Sequence, residues 1–147
     1  MAKVRGCDIP EDLYYYFEKH TWAMPLDDGN VRVGVSTVAA KMAGELVAVT
    51  PRSRNIGKEL AQGKSIGTME SSKYVGPIPT PVTGVLVKVN EALGDNPNLL
   101  VSAPYGEGWV AEFEVADWEA QKGGLLTGQA ALDAYQALLE QEDISCE

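Results

Sequence analysis

Two short runs with valine at every second position constrain the fold of this chain more than any other feature. Residues 31–35 read Val-Arg-Val-Gly-Val, and residues 85–89 read Val-Leu-Val-Lys-Val. A period of two residues places successive side chains on opposite faces of a β-strand. Both runs therefore predict half-buried strands rather than helices.

Further strand-like segments are separated by turns rich in glycine and proline. Leu26-Asp-Asp-Gly29 joins two of them, and Asp-Gly between apolar runs is a strong hairpin signal. The predicted strands cover residues 20–25, 30–35, 46–50, 64–70, 85–89 and 108–115. Many short strands of this kind predict a small, mainly β barrel or sandwich.

The segment 76–81 carries proline at every second position. Three prolines remove three backbone donors, so this segment cannot be a central strand. We expect it at a sheet edge or in a loop.

Helices are predicted in three places. Acidic residues and Pro10 favour a short helix over Glu11–Phe17, and Ser36-Thr37 and Gly44 bracket another over Val38–Met42. An apolar stripe predicts an amphipathic helix from Gly128 to about Gln141.

Length and composition fit one domain over residues 1–147. We divide it into a helical leader (1–19), a β core (20–115) and a C-terminal helical region (116–147). No apolar run reaches the roughly 20 residues of a membrane helix. The first residues lack a signal-length apolar stretch, so we expect a cytoplasmic protein with no membrane partner.

A net charge of −9 disfavours nucleic-acid binding, which needs clustered basic residues.

The two cysteines, Cys7 and Cys146, lie near opposite ends of the chain, and disulfide frameworks belong mainly to small secreted proteins. We therefore expect two unpaired thiols. Cysteine and histidine show no metal-ligand spacing.

A lysine lies between two of the predicted strands. Glu70, Ser71 and Lys73 match a Glu-Ser-x-Lys pattern, and residues 80–84 read Thr-Pro-Val-Thr-Gly. This arrangement resembles the lipoyl-attachment hairpin of the glycine cleavage H-protein family. Segments 20–22 (His-Thr-Trp), 89–93 and 104–109 resemble other parts of that family in the same order.

The resemblance implies a flattened lipoyl-type β-barrel with Lys73 at the exposed tip of a hairpin. It implies lipoate attached to Lys73 as an amide, with Glu70 as a possible aid in presenting the lysine. The protein is then a carrier that serves partner enzymes, including a lipoate-attaching enzyme, and not an enzyme itself. We expect Trp22, Trp109 and Tyr105 to be core residues.

Three positions depart from the family pattern. Where the family has polar or acidic residues that hold the amine of its loaded arm, this chain has Lys19, Thr21 and Pro77. A lysine is a poor neighbour for an ammonium group. The resemblance therefore implies an intact attachment hairpin beside an altered cargo pocket.

Residues 5–15 and 73–77 resemble lipoate-binding proteins that accompany a heterodisulfide-reductase-like complex in sulfur oxidation. We accordingly interpret the chain as a carrier of sulfur-containing intermediates for that complex. Two alternatives stay open. The chain could be a glycine cleavage H protein that carries an aminomethyl group for glycine decarboxylase, or an H-like binding module without lipoate.

Overall fold

The computed structural model describes residues 2–146. Its strands are β1 Lys3–Val4, β2 Cys7–Asp8, β3 Tyr14–Tyr16, β4 Thr21–Pro25, β5 Asn30–Val35, β6 Leu46–Pro51, β7 Glu59–Leu60, β8 Ser65–Ser71, β9 Val75–Pro79, β10 Gly84–Val89, β11 Ala111–Glu114 and β12 Leu126–Thr127. Its helices are α1 Thr37–Ala43, α2 Ala92–Asp95, α3 Leu99–Ser102, α4 Trp118–Lys122 and α5 Gly128–Gln141, and Ser53–Asn55 form a 3-10 turn.

Two antiparallel sheets form the body of the molecule. The larger has seven strands in the order β12-β3-β4-β5-β11-β10-β7, and the smaller has three in the order β6-β8-β9. Alternate residues of both sheets share one buried cluster, which includes Val33 of β5, Ile66 of β8 and Phe113 of β11. The predicted mainly β, flattened sandwich is confirmed.

A second buried cluster lies between the larger sheet and α5. Tyr15, Trp22 and Tyr135 are its largest fully buried side chains. Trp22 Nε1 donates to the carbonyl oxygens of Val35 at 3.0 Å and Pro104 at 3.1 Å. The one polar atom of this buried ring is therefore paired, as a dry core requires.

The predicted helices at 38–42 and 128–141 are confirmed as α1 and α5. Ser36 caps α1 by accepting from the backbone nitrogen of Ala39 at 3.2 Å, and Gly44 ends it at φ +86°. That left-handed value is easy for glycine and strained for other residues.

The predicted leader helix over Glu11–Phe17 is wrong. Its aromatic residues form β3, which pairs with β4, Tyr15 opposite Trp22, and with β12. A strand sends Tyr15 into the cluster under α5 and its neighbours Tyr14 and Tyr16 towards the other cluster. A helix offers no such two-sided cover for adjacent aromatics. The partner strand β12 was also missed, because we expected residues 108–115 to be the last strand.

The expected unpaired thiols are also wrong. Cys7 and Cys146 form a disulfide, with their Cα atoms 4.9 Å apart. The nitrogen of Cys146 donates to the carbonyl oxygen of Arg5 at 3.0 Å, so the segment after α5 lies against the β1–β2 hairpin. This proximity of the chain ends is tertiary, and a separation of 139 residues gives no sign of it.

Of the three aromatic residues predicted to lie in the core, one is fully buried. Trp22 is completely buried, whereas Trp109 and Tyr105 are half-buried. The Arg32 guanidinium lies 4.9 Å from the Trp109 ring centroid, which places that ring under a charged surface layer.

Within residues 2–146, every helix is too short or too polar to cross a membrane.

Candidate functional site

The β8–β9 hairpin presents Lys73 in its turn. Ser71 closes the turn by donating its backbone nitrogen to the carbonyl oxygen of Tyr74 at 2.7 Å. The hydroxyl of Ser71 accepts from the backbone nitrogen of Lys73 at 3.3 Å. Lys73 is exposed between these contacts, as the resemblance to the family implied.

The β8–β9 hairpin is anchored to the rest of the protein. Ser72 donates its backbone nitrogen to the carbonyl oxygen of Glu45 at 3.2 Å, which ties the turn to the loop after α1. The proline-rich strand β9 forms the edge of the three-stranded sheet, as the missing donors predicted. An exposed lysine therefore stands on an anchored turn.

The side chain of Lys73 lies across Gly44. A β-carbon built at Gly44 would be 2.9 Å from Cε of Lys73 and 3.7 Å from its Nζ. A larger residue at this position would have to displace the lysine stem. The glycine that ends α1 thus also leaves room for the lysine.

Glu70 is exposed and lies in register with Val75, the first residue of β9. Its carboxylate is therefore displayed on the hairpin close to the lysine. Its role in presenting Lys73 stays a prediction.

Beside the hairpin lies a cleft of about 560 Å³, here called the arm cleft. Its lining is largely apolar on the hairpin side and polar at the turn before β4. The residues that line it are Glu18, Lys19, His20, Thr21, Val35, Ala39, Met42, Ala43, Met69, Tyr74, Pro77, Ile78 and Pro79. The three positions that depart from the family pattern, Lys19, Thr21 and Pro77, thus share one cleft.

Sequence reasoning missed Glu18. This exposed carboxylate lines the arm cleft beside Lys19, so the cleft retains an acidic group. The expected loss of acidic character is therefore only partial. The spacing gave no signal for Glu18, because the turn that brings it to the cleft forms only once β3 pairs with β4.

Thr21 is a lining residue of the arm cleft whose hydroxyl is buried. The residue is 1% exposed, and its Oγ1 has no hydrogen-bond partner among residues 2–146. A buried hydroxyl without a partner costs about 1–3 kcal/mol.

His20 is a further polar residue in the cleft wall. Its backbone has φ +60°, and its Nδ1 lies 3.3 Å from the Tyr135 hydroxyl oxygen. Burial lowers the pKa of His20 below its ordinary value of 6.5, because the charged imidazolium loses hydration. The ring is therefore neutral at pH 7.

This geometry fits a long acyl arm on Lys73. The amine is accessible to a modifying enzyme, and an apolar cleft that includes Met42, Met69 and Tyr74 lies alongside. Acylation removes the lysine charge, so an apolar arm can rest against such a wall.

Comparison with known proteins agrees with this fit. The family model described as Glycine cleavage H-protein matches residues 14–140. The chain is 42% identical to "Glycine cleavage system H protein 5" of Aquifex aeolicus, covering 99% of both chains. It is 39% identical to H protein 2 of that organism, over 99% of this chain and 89% of the relative.

A solved structure shows the same fold. The crystal structure of a glycine cleavage system H protein from Mycobacterium marinum matches with a TM-score of 0.68 at 30% identity, covering 92% of this chain and all of that one. The chain belongs to the glycine cleavage H-protein family, whose members are non-catalytic carriers that bear lipoate covalently on a lysine.

Proposed function

We propose that Lys73 is the residue that bears lipoate. The observation that carries this proposal is the exposure of Lys73 on a turn anchored through Ser71 and Ser72. A modifying enzyme must enclose the lysine, and the loaded arm must later enter the sites of other proteins. Both tasks need an exposed tip on a rigid base, and the hairpin supplies both.

Lipoate and the protein have different roles in this proposal. Lipoate supplies a dithiolane whose sulfurs exchange and carry groups, and the protein supplies placement. Gly44 leaves space for the lysine stem, and the arm cleft shields the arm from water between partner encounters.

Peptide mapping tests the attachment. The chain, produced together with a lipoate-attaching enzyme, should show one lipoyl adduct, on the peptide that contains Lys73. Protein made without that enzyme is the control and should carry no adduct. A lipoyl group on a different lysine would contradict the proposal.

For the cargo, the first candidate is the aminomethyl group that glycine decarboxylase produces from glycine. The family and the names of both Aquifex relatives support it. Glu18 offers the arm cleft a carboxylate for the amine of this cargo.

The second candidate is a sulfur-containing intermediate of sulfur oxidation, handed to a heterodisulfide-reductase-like complex. The arm cleft supports it, because Lys19 supplies a positive charge. A positive charge suits an anionic or neutral cargo better than an ammonium. The leader and residues 73–77 support the same candidate by resemblance.

A loading assay separates the two candidates. The reduced, lipoylated protein is incubated with glycine decarboxylase and glycine, and intact mass reports the aminomethyl adduct. We expect slow loading of the unaltered chain, and about tenfold to hundredfold faster loading of Thr21→Glu/Pro77→Asp. A charge-assisted hydrogen bond is worth roughly 1.5–3 kcal/mol, which corresponds to that range.

The matched control is Thr21→Gln/Pro77→Asn, which has similar shape without the charges and should load like the unaltered chain. Equal rates for all three proteins would remove the cleft argument for the second candidate. Efficient loading of the unaltered chain would contradict the second candidate and make the aminomethyl group the better assignment.

A further inference from the structure

Helix α1 separates the arm cleft from a second cavity. The second cavity measures about 700 Å³ and is here called the cystine cavity. Its lining includes Cys7, Cys146 and a set of α1 and loop residues at helical spacing, namely Thr37, Ala40, Lys41 and Gly44. Ala39, Met42 and Ala43 face the arm cleft instead. Residues three and four apart share one helix face, so the two cavities lie on different faces of α1.

The Lys73 turn touches the wall of the cystine cavity. Gly44 and Glu45 both line this cavity. Lys73 packs its stem on Gly44, and Ser72 donates to the carbonyl oxygen of Glu45 at 3.2 Å. The root of the arm therefore lies where α1 ends, beside two residues that line the cystine cavity.

The two residues of the disulfide differ in their exposure. Cys7 is completely buried, whereas Cys146 is partly exposed. Exchange with a disulfide depends on access to the sulfur that is attacked. Cys146 is therefore the accessible end of the bond.

We propose that the Cys7–Cys146 disulfide is a second redox centre that exchanges with the dithiol arm on Lys73. The proposal rests on the proposed function, because it requires lipoate on Lys73. The Sγ of Cys146 accepts attack by one arm thiolate, and the bond between the cysteines breaks with Cys7 leaving as a thiolate. The second arm thiol then displaces Cys146.

The exchange balances without an added oxidant. The reduced arm loses two electrons and two protons and closes its own disulfide, while Cys7 and Cys146 gain them as thiols. A carrier built in this way could return its arm to the oxidised form before it meets another enzyme. The disulfide would then join the chain ends until the arm is reduced, and would join them again once the cysteines are reoxidised.

Thiol mapping tests this exchange. Lipoylated protein with its disulfide intact is treated with dihydrolipoamide dehydrogenase and NADH, which reduce the arm, and is then quenched in acid and alkylated. We expect alkylated Cys7 and Cys146 in peptide maps, formed at a rate independent of protein concentration. The comparison is Lys73→Arg protein mixed with equimolar free dihydrolipoamide. Disulfide reduction in the lipoylated protein should be about tenfold or more faster than in this mixture, because tethering raises the effective concentration of the dithiol to the millimolar range.

A mixture supplies the intermolecular control. Lipoylated Cys7→Ser/Cys146→Ser protein is combined with Lys73→Arg protein, so that the arm and the disulfide lie on different chains. Its disulfide should be reduced slowly and in proportion to concentration. Equal rates for the mixture and the intact protein would overturn the proposal.

The remaining outcomes are distinct. A reduced, alkylated arm on Lys73 beside an intact disulfide overturns the exchange and leaves the proposed function standing. Absence of lipoate from Lys73 overturns the proposed function, and the exchange with it.

Discussion

Replacing Trp22 with alanine is expected to lower the free energy of unfolding by about 3–5 kcal/mol, the range for large aromatic residues in a core. The ring is completely buried, and its Nε1 donates to two carbonyl oxygens. Gly34 adds to the tight fit, because a β-carbon there would lie 2.6 Å from Cζ2 of Trp22. Chemical denaturation monitored by circular dichroism measures the loss.

Trp109→Ala is the matched control. That ring is half-buried under Arg32, so its removal should cost about 1–2 kcal/mol, less than full burial of an aromatic side chain is worth. Equal losses for the two tryptophans would show that the cluster under α5 does not hold the fold as described.

Replacing Lys73 with arginine is expected to abolish lipoylation and every arm-dependent transfer. Arginine keeps the charge and length of the side chain but cannot form the amide that joins lipoate to lysine. Intact mass after production with a lipoate-attaching enzyme should equal that of the unmodified variant. Loading by glycine decarboxylase should fall to background.

Two controls make the result specific. Lys64→Arg, at another exposed lysine just before β8, should be lipoylated and loaded like the unaltered chain. Lys73→Ala should change the free energy of unfolding by no more than about 0.5 kcal/mol, since the residue is exposed. A large destabilisation would mean that the lysine is structural, and normal modification of Lys73→Arg would move the attachment elsewhere.

The edge position of the proline-rich segment was predictable because its signals are local: prolines at 77 and 79 remove backbone donors, and the segment forms the edge strand β9. The exposed place of Lys73 was implied by the resemblance to the family. The cap at Ser36 and the stop at Gly44 likewise predicted α1.

The leader was not predictable from local propensity. Pro10 and the following acidic residues resemble a helix start, yet pairing with β4 and β12 decides the conformation of Tyr14–Tyr16. Burying adjacent aromatics on both faces of a strand outweighs the weak preference of a short helix.

The sequence by itself determined the β class and the two main helices, because period, caps and turn residues act over short distances, and its resemblance to the family implied the place of Lys73. Only the tertiary structure decided what surrounds that lysine. It brought Glu18 and Thr21 to the arm cleft and joined Cys7 to Cys146. These contacts depend on how sheets and chain ends pack, and no pattern along the chain records a meeting between residues 139 positions apart.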